Sequence, residues 1–352
     1  MKKTLFAALA LVSMASCSNE EIVEATSKEA IAFENAFVDN STRAYDPSYT
    51  NSNLFGGFKV YGFVEKAELF PGTLCKAGAA DGKTIWSYDG AQYWIPGANY
   101  NFCAVAPATV GETTANWTKT ACSVTDAGVI NTTLSFTNDG TQDLLYAEHE
   151  QMQGKLTGND EVDFTFRHLL SRVKFTFTNG YNATGATLRV KNIKINNAYS
   201  QATVALTSSS QDWTEHSEDN VVLEFGNALS DNANAATDVE TIAYNTSKSS
   251  YNALFLIPNA VPTVTIPATG ESTEQTVKGY KVTFDVDLLV GDNVVKTYNR
   301  VTYVDFTPEA GKSYNISTII TAINIDPDNA FEPIQFTVNT LPGWGGDNTV
   351  DM

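Results

Sequence analysis

Val173-Lys174-Phe175-Thr176-Phe177-Thr178 and Val282-Thr283-Phe284-Asp285-Val286-Asp287-Leu288 set an apolar residue at every second position with a polar one between. Side chains of an extended chain point alternately to opposite faces, so a period of two marks strands with one face in a core and the other in water. The second run passes through Gly291-Asp292-Asn293 into Val294-Val295, a hairpin signal. Tyr314, Ile316 and Thr318 keep the spacing. Strand-like runs recur at Phe58 to Val64, Tyr100 to Val105, Leu188 to Ile195 and Leu254 to Ile257, separated by clusters of Gly, Asn, Asp, Ser or Pro. No helical periodicity is sustained over ten residues beyond Glu29. Many short strands punctuated by turns predict an all-β fold of β-sandwich type. At roughly 150 residues per domain, 352 residues divide into two sandwiches in tandem. A division near Asp163, where the polar stretch Glu148 to Asp160 ends, gives an N-terminal sandwich over 51–163 and a C-terminal one over 164–352.

Charge narrows the partners. Lys and Arg number 22 against 40 Asp and Glu, a net charge of −18. A nucleic-acid binder presents a basic face, so nucleic acid is not an expected partner. Hydrophobic residues make up 43% of the chain, with 19 Phe, 15 Tyr and 5 Trp. That is too apolar for intrinsic disorder, despite the acidity.

The first residues read as an address. Met1-Lys2-Lys3 and the apolar run Thr4 to Val12 have the form of a secretory signal, 1–16, too short to span a bilayer comfortably. Ser13-Met14-Ala15-Ser16-Cys17 resembles a bacterial lipobox, in which the Cys is acylated and becomes the mature N-terminus; Met14 stands where Leu is usual. Ordinary signal cleavage is the alternative. The acidic run that follows, Ser18 to Glu29, reads as a solvated tether, and the tether with a first strand occupies 17–50. Of the other cysteines, Cys75, Cys103 and Cys122, at most two form a disulfide within the chain, and spacing does not choose the pair; three buried thiols are the other reading.

The inventory for catalysis is thin. The three His, at 149, 168 and 216, form no HExxH, and no GxSxG occurs. Gly82-Lys83-Thr84 and Gly311-Lys312-Ser313 end like phosphate loops, but Ala77 and Phe306 stand where the leading Gly belongs, so both read as turns. His168, amid strand residues, reads as a hydrogen-bonded structural histidine. Asp326 and Asp328 lack the spacing of a calcium loop. Trp86, Tyr88, Tyr93 and Trp94 have the character of a sugar-stacking group, or of core and rim packing. The sequence therefore calls for no enzyme activity, cofactor or metal.

Several segments in order resemble the fimbrillin family of Bacteroidales, the lipoprotein-derived pilus subunits of Mfa-like and fimbrillin-A type. They are Cys17 followed by Ile31-Ala32-Phe33 and Ser41-Thr42-Arg43-Ala44, then Tyr100-Asn101-Phe102-Cys103-Ala104-Val105-Ala106-Pro107, Asp143-Leu144-Leu145-Tyr146-Ala147 and Phe166 to Val173. Pro308-Glu309-Ala310-Gly311-Lys312-Ser313-Tyr314-Asn315-Ile316 and a last strand over Val338 to Trp344 complete the series. The resemblance implies two transthyretin-like β-sandwich domains, export to the outer membrane and cell surface as a lipoprotein held through Cys17, and assembly with other fimbrial subunits into a fimbrium. It further implies that a trypsin-like protease cuts between Arg43 and Ala44, releasing the first strand. An Arg in an exposed loop is the alternative.

Physics supplies a reason for such a cut. Removing an apolar strand from a sheet leaves unpaired N–H and C=O groups, a template for a strand from another molecule. Ile334, Phe336 and Val338 alternate with Gln335, Thr337 and Asn339, which suits a donor strand and equally a resident one. Gly343, Gly345 and Gly346 around Trp344 suit a hinge or a frayed end. Loss of 17–43 after the leader would leave 18 basic and 34 acidic residues, net −16, so neighbouring subunits would repel except where strand insertion joins them. A structural fimbrial subunit is the first expectation. The alternative is a surface lipoprotein or tip adhesin that does not polymerise and holds a glycan or host protein through Trp86, Tyr88, Tyr93 or Trp94.

Overall fold

Nine strands precede Leu169 among the described residues: β1 (Phe33–Val38), β2 (Gly57–Val64), β3 (Ala67–Ala80), β4 (Lys83–Ser87), β5 (Asn99–Ala106), β6 (Trp117–Val124), β7 (Ile130–Thr137), β8 (Leu145–Gln153) and β9 (Val162–His168). The structure is a computed structural model and describes residues 29–38, 56–80, 83–111, 114–229, 240–250, 252–266, 273–325 and 334–341. Cys17, Arg43, Ala44, Asp326, Asp328 and Trp344 lie outside them. Fourteen strands follow: β10 (Ser171–Asn179), β11 (Ala186–Tyr199), β12 (Gln201–Leu206), β13 (Gln211–Thr214), β14 (Asn220–Gly226), β15 (Ala228–Leu229), β16 (Ser247–Ser250), β17 (Leu254–Leu256), β18 (Thr263–Ile266), β19 (Gln275–Lys278), β20 (Tyr280–Val290), β21 (Asn293–Val304), β22 (Ser313–Ile320) and β23 (Thr337–Leu341). One helical turn, Ala322–Ile325, is the exception to an all-β chain.

The first sheet has seven strands in the order β1-β9-β8-β5-β2-β3-β4. β1 runs parallel to β9, with Phe33 beside Val162 and Phe37 beside Thr165, and the other pairs are antiparallel. The sheet curls until its ends meet. The Ile31 N–H donates to Gln92 O at 2.8 Å and the Trp94 N–H to Glu29 O at 3.0 Å, so the chain after β4 is bonded to the chain leading into β1. Closure of this kind removes the exposed edges of a sheet. The interior is aromatic: Phe58, Phe70, Tyr100, Phe102, Phe164 and Phe166 line it around Phe33. Gly62 on β2 makes room for them, since a Cβ there would lie 2.8 Å from the rings of Phe70 and Phe102.

The outer face of the same sheet is also covered. Tyr61, Cys103, Val105 and Tyr146 pack against Trp117, Leu134, Phe136, Val204 and Trp213 of a four-stranded sheet ordered β13-β12-β7-β6. β5 therefore has apolar residues on both faces, Tyr100, Phe102, Ala104 and Ala106 inward and Cys103 and Val105 outward. Its sequence is a continuous apolar run for that reason.

Two features bear on the division placed at 164. That position falls inside β9, which pairs with β1 and β8. The β12–β13 hairpin, which follows it in the chain, is bonded along β7, which precedes it, with Gln201 opposite Thr137 and Leu206 opposite Thr132. Arg167 of β9 fastens this hairpin by donating to the carbonyls of Thr207 and Ser208 at 2.7 Å and Ser210 at 3.1 Å. The polar stretch 148–160 is in its first part strand, since β8 continues to Gln153.

The remaining strands form a second pair of layers. One sheet is ordered β15-β16-β10-β22-β23, with β17 also on β10; the other is β14-β11-β20-β21. Between them lie Val173, Phe175 and Phe177 of β10, Leu188, Val190, Ile193 and Ile195 of β11, Val282, Phe284 and Val286 of β20, and Ile316 of β22. Here the alternation of the sequence maps directly onto buried and partly exposed faces.

Candidate functional site

The first and last described strands are the two elements that the sequence marks as exchangeable. Ile31, Phe33 and Ala36 are buried in the closed sheet, each 1% exposed. The Phe33 ring sits 5.3 Å from Phe70 on β3, 5.4 Å from Tyr88, 5.9 Å from Phe102 on β5 and 5.8 Å from Phe164 on β9. One side chain thus touches rings from across the whole sheet. Main-chain bonds hold the segment from both sides: the Val162 N–H donates to Ala32 O at 3.0 Å, and the Tyr88 hydroxyl donates to Ile31 O at 2.7 Å. Burial raises the Tyr88 phenol above its ordinary pKa, which keeps the hydroxyl a donor. At the start of the segment the Glu29 carboxylate accepts from the Asn159 N–H at 3.0 Å and its amide at 2.7 Å, and these bonds lower the Glu29 pKa.

Fully burying one side chain such as Ile31 or Phe33 contributes about 1.5–3 kcal/mol. A strand that places two such residues in an interior stays in place while the chain is intact. Were it removed, the vacated slot would be lined by aromatic rings and flanked by the free main-chain groups of β9 and of 92–94.

β23 is seated differently. It pairs antiparallel with β22, Val338 beside Ile316 and Thr337 beside Ser317, at the end of its sheet. Ile334 is buried, and the Phe336 ring lies 5.8 Å from Phe175 and 5.9 Å from Phe177 and Phe284. Val338 packs on the same core. The Thr318 hydroxyl donates to Gln335 O at 2.6 Å and the Thr302 hydroxyl to Ile334 O at 3.1 Å.

The aromatic group is drawn into the first site. Trp86 is 8% exposed and packs on Phe58 at 4.8 Å; Trp94 is 5% exposed and packs on Tyr100 at 4.6 Å. Tyr88 binds the β1 segment as described. Tyr93, at 46%, is the most exposed of the four, and its neighbour in the chain fold is Ala30. Trp86, Tyr88 and Trp94 belong to the same core as Phe33, with Tyr88 touching its ring, and Tyr93 stands exposed beside them. Phe70, Phe102 and Phe164 complete the pocket of Phe33, and Asn159 holds Glu29 before it; spacing does not single them out, and the alternation Phe164/Phe166 and Tyr100/Phe102 is the signal that two of them carry.

His168 is a junction residue. Its Nδ1 is bonded to the Asp143 carboxylate, both side chains being buried, and Asp143 also accepts from the Leu144 N–H at 2.8 Å. Close by, the Leu169 N–H donates to Leu144 O and the Ser171 hydroxyl to Glu309 O at 2.7 Å, tying the passage from β9 to β10. Among the described residues no group of three or more His, Cys, Asp or Glu is placed to hold a metal ion, and no helix is long and apolar enough to cross a membrane.

The family described as fimbrillin-like matches residues 42–339. The chain belongs to the fimbrillin-like family. It is a protein of the fimbrial type. No curated protein matches it. Among solved structures, this fimbrillin-like chain is similar to a candidate cell adhesion protein from Bacteroides uniformis, at 14% identity, covering 90% of this chain and 98% of the other with a TM-score of 0.45. A candidate cell adhesion protein from Bacteroides ovatus is 12% identical, covering 91% and 99% with a TM-score of 0.48. The fimbrial anchor protein Mfa2 from Porphyromonas gingivalis is 11% identical, covering 89% and 97% with a TM-score of 0.31. These likenesses are distant, and membership rests on the family match.

Proposed function

We propose that this chain is a structural fimbrial subunit, exported as a lipoprotein through Cys17 and assembled by β-strand donation once a protease cuts between Arg43 and Ala44. The observation that carries the reading is the seat of β1. Arg43 follows Val38 by five residues, so a cut there would free a strand whose Ile31 and Phe33 occupy an aromatic interior. The slot would then accept a strand with large apolar residues two apart. Ile334 and Phe336 repeat the Ile-x-Phe spacing of Ile31 and Phe33, so the same segment of a second copy is the donor we assign. In the uncut chain that segment rests on β22 at the end of its sheet, and donation requires it to leave.

The domain plan follows the same reading: a leader over 1–16, a lipidated tether with the first strand over 17–50, an N-terminal sandwich that borrows the β12–β13 hairpin, and a C-terminal sandwich that ends in the donor strand. The partners are other fimbrial subunits, and the outer membrane before processing.

The test is Arg43→Ala expressed in the native cell. Electron microscopy of the surface and N-terminal sequencing of the protein are expected to show loss of fibres and a terminus upstream of residue 44. Fibres of unchanged amount would refute the proposal.

A further inference from the structure

Of the three cysteines beyond Cys17, the fold brings two together across the space between its facing sheets. Cys103, on β5, points from the outer face of the closed sheet; Cys122, on β6, points back from the covering sheet. Their sulfurs lie 4.0 Å apart, in van der Waals contact. The Thr132 hydroxyl of β7 lies beside both, 3.6 Å from Cys103 Sγ and 3.4 Å from Cys122 Sγ. Cys75 belongs to the other core, inside the closed sheet.

We propose that Cys103 and Cys122 form an intramolecular disulfide in the mature protein, a covalent tie between the two sheets of the first half. An S–S bond is about 2.05 Å long, so closure asks the sulfurs to approach by roughly 2 Å, which rotation about χ1 and a small shift of the covering sheet provide. A bond between facing sheets is an established way to staple a β-sandwich. β6 ends the four-stranded sheet and has β7 as its one neighbour there, so the bond would fix an end strand of that layer. The inference does not depend on strand donation; it needs an oxidising compartment, which the surface location of the family supplies.

The chemistry is thiol–disulfide exchange with an external disulfide, RSSR. Cys122 is partly exposed, and its thiol is made more acidic chiefly by the hydrogen bond from Cys103, whereas burial pushes the Cys103 thiol well up. The Cys122 thiolate is therefore the group that attacks RSSR, forming Cys122–S–SR and releasing RS⁻. Cys103 then attacks the Cys122 sulfur, expels the second RS⁻ and gives up its proton to it. Two thiols are oxidised and one RSSR is reduced to two RSH.

The bond is read by differential alkylation of the protein taken from the cell surface, unfolded in acid and labelled once before and once after reduction. We expect the first label on Cys75 and the second on Cys103 and Cys122, with a non-reduced digest holding the two peptides joined and lighter by two hydrogens. First label on both Cys103 and Cys122 overturns the proposal, as does a link from either to Cys75 or to another chain. A second measurement uses purified protein, fully reduced and then exposed to oxidised glutathione. Closing a loop between residues 19 apart should raise Tm by roughly 5 °C or more, reversed by dithiothreitol. Cys122→Ser, at the partly exposed position, should fold and show no such response. Equal responses in wild type and Cys122→Ser would overturn the assignment.

Discussion

The segments that lead into β1 and β23 lie near opposite ends of the chain and carry the same Ile-x-Phe pattern, Ile31-Ala32-Phe33 and Ile334-Gln335-Phe336, yet the fold treats them in opposite ways. β1 has a parallel neighbour on one side, and the residues just before it are bonded to 92–94 on the other, so its apolar residues lie inside a closed interior. β23 has β22 on one side and, among the described residues, no strand on the other. Phe33 is 1% exposed, whereas Phe336 is only partly buried. A strand bonded at the rim of a sheet can depart by breaking one ladder. A strand enclosed on both sides departs only after its connection to the protein has been weakened. Equal apolar patterns therefore do not mean equal commitment, and the enclosed strand is the one for which a proteolytic trigger makes physical sense.

The comparison breaks if the two phenylalanines prove equivalent. Phe33→Ala in the full chain removes a ring that meets four others and leaves a cavity that the closed sheet cannot collapse; it should cost about 3–5 kcal/mol. Urea unfolding should show the lowered midpoint, and amide exchange should show opening confined to β1, β9 and 92–94. Phe336→Ala should cost less, about 1.5–2.5 kcal/mol, because the ring is only partly buried at the end of its sheet. Amide exchange should then locate the opening at β22 and β23. Equal losses, or a loss at Phe336 larger than at Phe33, would mean that β23 is the more firmly held strand and would remove the asymmetry on which the proposed order of events rests.

The same contrast governs what the sequence reveals. β10 and β20 alternate cleanly because one face meets the core and the other meets water or a thin polar cover, so Val173, Phe175, Phe177 and Phe284 were legible as core. β5 is covered on both faces, so its run shows no period and says only that it is buried. Which strand pairs with which is a question of register between distant segments, and local pattern does not answer it. That is why the β12–β13 hairpin appears beside β7, and why β9 lies in the first sheet although a division at 164 cuts through it. In the site, the spacing of Ile31 with Phe33 and of Ile334 with Phe336 was readable. The pocket was not, since Phe70, Phe102 and Phe164 come from three strands far apart in the chain that only the pairing and curl of the sheet bring to one interior. Trp86 and Trp94 carry the same chemical character on a glycan platform as in a core, and only their burial separates the two.

The smallest expected effect concerns the point where the β1 segment begins. Glu29 is held as a carboxylate by two bonds from Asn159, and its folded-state pKa lies below the ordinary value. A carboxyl whose pKa is depressed on folding contributes stability that is fully present above the unfolded value, and the contribution is lost as pH falls through the folded one. Acidification below the ordinary carboxylate range should therefore loosen residues 29–31 before it affects β23, which has no bond to Glu29. Amide exchange at Ile31 followed against pH is the measurement, since that N–H donates to Gln92 O and reports the closing contact itself. Glu29→Gln should keep a carbonyl for Asn159 but lose the charge, flattening the pH response at Ile31 while leaving that of β23 unchanged. A parallel acid response at Ile31 and in β23, or one that survives in Glu29→Gln, would show that the enclosed strand opens with the whole molecule rather than from its own end.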